Sequence, residues 1–331
     1  MGQIGRRRFL IAATASVAAT PLALRAQPAG RTVRVGILVY ATPSIHAPYI
    51  EGLRAELRTL GWEEGRNLAF ETRYARGRAD HLPALAAELV AAGVDVIIAS
   101  GTQSVEAARA VTRSVPIVMI GIPDPVAQGY VASLSRPGGN VTGLSNMQSR
   151  EIPLKNLELA LEIVPGAKTM GILWSPENKG SADTFAYEQP KAEKIGLRCV
   201  SLAVSAPEDI DGALELALRE RIHFLQVHGT PAIVVMIGKV ADWAIEHRLP
   251  IIGGSQLFVQ AGTLASYNPD YLDMYRKAAR YVDRILRGEK PGEMPIERPS
   301  RFLLVVNLKT AQRIGITIPQ SVLARADEVI Q

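Results

Sequence analysis

Beyond Arg31 the chain alternates between two patterns of apolar residues. Segment 32–40, TVRVGILVY, is a β-branched, apolar run that ends in the turn residues Ala41, Thr42, Pro43 and Ser44. Ile50, Leu53, Leu57 and Leu60 then recur at helical spacing up to Gly61, a helix stop. The exchange continues with a strand over 67–75, a helix over 80–93, a strand over 94–100, a helix over 103–112 and a strand over 115–122. A short helix is expected over 124–134 and a short strand within 138–146.

The cycle then restarts. A helix around 154–164 leads to strands at 168–174, 197–204 and 222–229, with helices at 179–195, 208–219 and 231–247 between and after them. Short strands at 250–254 and 263–268 follow, then a helix at 270–287, a strand at 301–307 and a terminal helix at 319–329. Strands that are apolar throughout and separated by helices point to parallel sheets covered on both faces. Two such blocks predict an α/β protein of two Rossmann-like lobes. The 331 residues suit two units of about 150 each.

Charge changes the picture only at the N-terminus. The chain has 37 Lys and Arg against 32 Asp and Glu, a formal charge of +5. Residues 1–26 read as an export signal: Arg6, Arg7 and Arg8, an Ala-rich apolar run, and Ala26 at its end. An uncleaved anchor or a mitochondrial presequence is the plain rival to that signal, and Arg6-Arg7 followed by Phe9-Leu10 is similar to the twin-arginine signal, with general secretion as the other route. Taking Arg6, Arg7, Arg8 and Arg25 from the basic residues leaves 33 against 32 acidic ones, a charge of +1. No Lys/Arg block remains, so a nucleic-acid partner loses its support and the periplasm is the expected location.

Catalytic signatures are thin. The first strand is followed by Val39-Tyr40-Ala41-Thr42, without the glycines of a dinucleotide fingerprint, and no P-loop or G-x-S-x-G elbow occurs. The histidines at 46, 81, 223, 228 and 247 lack metal spacing, and a surface or helix-cap role is expected for His223 and His228. Cys199, the single cysteine, reads as a buried inert thiol. No cofactor and no metal are expected.

Two long blocks carry a family resemblance. Residues 116–146, PIVMIGIPDPVAQGYVASLSRPGGNVTGLSN, and residues 261–319, from AGTLASYNPDYLDMYRK to QRIGITIP, resemble the ABC transporter substrate-binding family that includes tryptophan/tyrosine-type receptors. Asn268 departs from the glycine that many relatives place after Ser-Tyr. The resemblance implies two lobes joined by three crossovers, similar to type I periplasmic binding proteins. It implies a first lobe of 33–145 plus 268–297 and a second of 146–267 plus 298–331. The implied partners are a small-molecule solute and an inner-membrane ABC permease with its ATPase, the receptor itself being a monomer.

In open parallel sheets a ligand lies beyond the C-terminal strand ends, where helix N-termini present N–H groups. That rule selects Tyr40 and Thr42 after the first strand, Thr102 and Gln103 at a helix start, and Asp124 and Asn146. In the second lobe it selects Trp174, Ser175, Thr230 and Ser255, with Tyr267 at a crossover. Each has a plainer reading: loop packing for Tyr40 and Thr42, helix capping for Thr102, Asp124 and Thr230, core packing for Trp174. The set of hydroxyls, amides, aromatics and one acid suits a small zwitterion, an amino acid above all. The expected function is therefore an exported solute receptor of an import system. An exported α/β enzyme, the ligand-binding core of a transcription regulator and a sensory adaptor are the alternatives.

Overall fold

The computed structural model describes residues 31–146 and 151–331; the export-signal reading of 1–26 lies outside the described residues. The first sheet contains β1 (Val33–Val39), β2 (Leu68–Tyr74), β3 (Val96–Ser100), β4 (Ile117–Ile122) and β5 (Val141–Ser145). It is parallel throughout in the order β2-β1-β3-β4-β5. Between its strands run α1 (Pro43–Thr59), α2 (Leu82–Ala91) and α3 (Thr102–Val111). Alternation along β1 explains why both faces are covered. Val35, Ile37 and Val39 join Leu53 and Leu57 on one face, and Leu38 and Tyr40 join Leu82 and Leu89 on the other.

The second sheet is entered through α4 (Ile152–Ile163). It contains β6 (Thr169–Trp174), β7 (Arg198–Ala203), β8 (Phe224–Val227), β9 (Ile251–Gly253) and β10 (Ala265–Pro269). Its helices are α5 (Lys179–Lys194), α6 (Ile210–Arg219), α7 (Pro231–Glu246) and the short α8 (Gln256–Gln260). The order β7-β6-β8-β9-β10 repeats that of the first sheet. Each sheet thus has a switch point, between β1 and β3 and between β6 and β8, where helices leave on opposite faces and a crevice opens.

After β10 the chain returns to the first lobe. Asp270 caps α9 (Tyr271–Leu286), its carboxylate accepting the Asp273 N–H at 3.0 Å. Met274, Tyr275, Ala278, Ala279, Tyr281, Val282 and Ile285 recur every three or four residues and close the core beside α1. The chain then crosses again to β11 (Phe302–Asn307). It enters from the end at which β10 left, so β10 and β11 pair antiparallel, from Ala265 opposite Val306 to Pro269 opposite Phe302. The last elements are α10 (Leu308–Ile314), α11 (Gln320–Leu323) and β12 (Glu328–Ile330).

Two sequence expectations are corrected. Residues 124–134 form turns, not a helix: Gly129 stands at φ 66°, which ends the first turn, and the Tyr130 hydroxyl donates to Glu106 at 2.8 Å. The terminal helix 319–329 is a single turn followed by a strand. The open edge of β11 takes β12 as a parallel neighbour, and Asp327 accepts the Leu304 N–H at 2.8 Å. The short helices α8 and α10 were not anticipated, although Asn307 caps α10 by accepting the Thr310 N–H at 3.0 Å.

Candidate functional site

The two crevices face each other across a half-open cavity of about 250 Å³. At the share of liquid volume each water takes, that is room for roughly eight waters, the space of a small organic molecule. The lobes meet around it. Tyr49 of the first lobe and Ser255 of the second both line it. Gly180 at the start of α5 stands so close to Pro123 of the first lobe that a Cβ on it would lie 3.0 Å from Pro123 Cγ. Gly77 is likewise packed against Val235 of α7.

The first lobe supplies an aromatic wall. His46 and Tyr49, three residues apart on α1, meet Tyr271 and Tyr275, four apart on α9. Tyr49 stacks on Tyr275 with ring centres 5.2 Å apart, Tyr271 tilts against Tyr49 at 6.2 Å, and the His46 Nε2 lies 3.0 Å from the Tyr275 hydroxyl. Burial pushes the His46 pKa down to about 4, so the ring is neutral near pH 7. Burial also raises the phenol pKa values of Tyr49, Tyr271 and Tyr275. The wall is aromatic and uncharged. Gly121, at φ 75° in the irregular β4–β5 register, keeps it open, since a Cβ there would stand 3.2 Å from Tyr271 Cε1.

The second lobe supplies a polar wall. Asn156 of α4 is fixed by three bonds, its Nδ2 donating to the carbonyls of Ile152 and Tyr267 and its Oδ1 accepting the Tyr267 N–H. Gln226 of β8 donates to the Pro153 carbonyl at 2.9 Å, leaving its Oε1 buried without a partner. Thr230 Oγ1 is buried as well, and so is the Oδ1 of Asn146, which follows β5 of the first lobe with its N–H on the Ile122 carbonyl; neither atom has a partner among the described residues. Behind this wall runs a chain of three side chains: Ser181 Oγ lies 3.1 Å from His228 Nδ1, and His228 Nε2 lies 2.9 Å from Glu188 Oε2. None of the described residues lining the cavity is Asp, Glu, Lys or Arg.

Five of the sequence candidates, Tyr40, Thr102, Asn146, Thr230 and Ser255, lie together around the cavity. Tyr40 presents its ring while its hydroxyl donates to the Gly77 carbonyl at 2.6 Å. Thr102 is the first residue of α3 with Gly101 as the cap, and Thr230 precedes α7 without a side-chain cap bond. The other six are not among the lining residues. Thr42 Oγ1 bonds the Ser44 hydroxyl at 3.1 Å, and Gln103 lies one residue further along α3 with its Oε1 buried. Asp124 caps its own turn, accepting the Ala127 N–H at 3.0 Å. Trp174 stacks on Phe185 at 4.1 Å and donates its indole N–H to Ser201. Ser175 is buried with its N–H on Ser181 Oγ, and the Tyr267 ring stacks on Phe302 at 5.8 Å.

His228, expected at the surface or a cap, is instead 8% exposed and part of the buried chain, because β8 ends one residue short of it and turns it inward. His223 is exposed. Cys199 is half-buried, and burial pushes its thiol up to about 12, so it stays protonated. The aromatic wall escaped sequence reading although its i, i+3 and i, i+4 spacings on α1 and α9 were visible. The order of the sheets is what brings those two helices to one crevice.

Two lobes of matched strand order, three crossovers and an uncharged cleft between them define a solute-binding protein of the type I periplasmic kind. Residues 34–330 match the family model for ABC transporter substrate binding protein, and the chain belongs to that family. It is similar to a tyrosine-binding protein of Clostridioides difficile, with 28% identity over 266 residues, 80% of this chain and 76% of the relative. A crystal structure of an ABC domain from Streptococcus pneumonia in complex with L-Trp shares 27% identity and a TM-score of 0.80, covering 90% of this chain and 100% of that one. A conserved domain protein from Vibrio cholerae shares 28% identity and a TM-score of 0.83 over the same shares.

Proposed function

We propose that this protein is the exported receptor of an ABC import system and captures an amino acid with an aromatic side chain. The observation that carries the reading is the pairing of an uncharged aromatic wall with a polar wall of unpartnered buried atoms. A net-neutral zwitterion needs no full counter-charge. Its carboxylate can sit on the N-termini of α3, α5 and α7, and its ammonium on Asn146 Oδ1 and Gln226 Oε1. An aromatic side chain finds a stacking face on the tyrosines. The relatives named for tyrosine and solved with L-Trp support the same class.

The closed receptor, a monomer, then docks on an inner-membrane permease driven by its ATPase. The signal at 1–26 supports passage to the periplasm, with lobes of 33–145 plus 268–297 and 146–267 plus 298–331 hinging about the crossovers. Replacing Arg6 and Arg7 by lysine is expected to hold the protein in the cytoplasm; unchanged export removes the twin-arginine assignment.

A thermal-shift screen of residues 27–331 tests the ligand class. L-Tryptophan and L-tyrosine at 100 times their Kd should stabilise the fold by about 2.7 kcal/mol, through binding to the folded state alone. Stabilisation by a sugar or a polyanion and by no amino acid overturns the reading. The captured amino acid should be recovered unaltered. Its conversion would move the function to an enzyme built on Ser181, His228 and Glu188.

A further inference from the structure

Glu188 is fully buried, yet among the described residues no Lys or Arg pairs with it. Its Oε2 meets His228 Nε2 and its Oε1 has no partner. The other charged side chains of α5, Lys179, Asp183, Lys191, Glu193 and Lys194, are exposed. From α4, Lys155 and Glu158 pair with each other at 2.8 Å in solvent. From β7 the facing group is the Cys199 thiol, which is protonated. The opposite lobe brings Pro123 against Gly180 and, next to it in sequence, Asp124, which caps its own turn.

A buried pair with no outside counter-charge is most stable when its net charge is zero. There are two ways to reach zero: a carboxylate with an imidazolium, or a carboxylic acid with a neutral imidazole. In the first, Nε2–H donates to the carboxylate. In the second, the acid proton donates to Nε2. Both leave a proton on His228 Nδ1, which can only donate to Ser181 Oγ. That oxygen already accepts the Ser175 N–H at 3.0 Å. With both acceptor positions taken, the Ser181 hydroxyl proton is left to point into the cavity that Ser181 lines. The singly protonated pair would do the reverse, turning the hydroxyl toward Nδ1 and showing the cavity an acceptor.

We propose that Glu188 and His228 act as positioning residues that hold Ser181 as a hydrogen-bond donor to the bound molecule, and that Ser181 reads an acceptor oxygen there, the carboxylate of the captured solute. Its place at the third residue of α5, where the helix dipole favours an anion, points to the same end of the ligand. This rests on the amino-acid reading for the identity of the oxygen, but not for the state of the pair.

Nitrogen NMR of the His228 ring in residues 27–331, without any ligand, decides that state. A protonated Nδ1 near neutral pH is expected, and a ring protonated on Nε2 alone overturns the proposal. L-Tryptophan and tryptamine, which lacks the carboxylate, then serve as calorimetric probes. Ser181→Ala should weaken L-tryptophan about tenfold and leave tryptamine within twofold. Equal losses for both probes would overturn the donor role. If neither probe binds the unmodified protein, the amino-acid reading fails while the His228 spectrum still decides the pair.

Discussion

Gly180 offers a way to separate closure of the lobes from stability of the fold. It lies in the first turn of α5 with an ordinary helical backbone, so alanine there meets no local strain. Replacing a helical glycine by alanine stabilises a helix by roughly 0.5–1 kcal/mol. The same methyl would stand 3.0 Å from Pro123 Cγ and 3.4 Å from Asn178 Oδ1, and Pro123 belongs to the other lobe. The first effect and the ordinary 3.4 Å contact with Asn178 are present whether the lobes are open or closed; the approach to Pro123 exists only when they are closed.

Gly180→Ala should therefore leave the ligand-free protein at least as stable as the parent while weakening capture. Overpacking of a tight contact costs about 1–3 kcal/mol, and here the ring edge of Pro123 can yield a few tenths of an ångström, so the lower end applies. A shift of about 1 kcal/mol against the closed state lowers apparent affinity about fivefold, since the measured Kd scales inversely with the competent fraction. Titration calorimetry with L-tryptophan and thermal denaturation without ligand read the two terms separately. Unchanged affinity would mean that the ligand-bound state does not bring Gly180 to Pro123. Affinity and ligand-free stability falling together would mean damage to α5, and the argument from closure would be lost.

His46 should tie stability to pH. Its folded pKa is depressed from 6.5 to about 4, so the fold favours the neutral ring; its stabilisation is present above about pH 6.5 and is lost as pH falls toward 4. The ring keeps part of its edge toward the cavity, so the effect is on the order of 2 kcal/mol; melting curves across that range should show it, and His46→Gln should flatten the dependence. Leu53→Ala removes a fully buried side chain beneath α1 and should cost about 2–5 kcal/mol, lowering the urea midpoint at constant slope. Ile195, 60% exposed, should tolerate alanine within about 0.5 kcal/mol in the same assay. Trp174→Phe keeps the stack on Phe185 and loses one bond to Ser201, so L-tryptophan affinity should stay within about twofold; a larger loss would return Trp174 to the ligand.

The sequence made the strands legible because a strand buried on both faces must be apolar along its length, as in 96–99 and 115–122. It misled at 124–134 and 319–329, where apolar residues at helical spacing were pulled into turns by Gly129 and into pairing by the open edge of β11. The strand-end rule found Thr102, Asn146, Thr230 and Ser255 because a crevice at a switch point is a property of one lobe alone. It could not find Tyr271 and Tyr275, since α9 follows a strand of the second sheet and packs on the first. Nor could it find Glu188, seven residues beyond Ser181 and two turns into a helix whose other charges face solvent. A carboxylate at that spacing is indistinguishable from a surface one until the Gly180 turn is set against Pro123 and His228 is turned inward. What recognises a ligand here is thus assembled by the crossovers, and single-lobe patterns see only the half of it that each strand end carries.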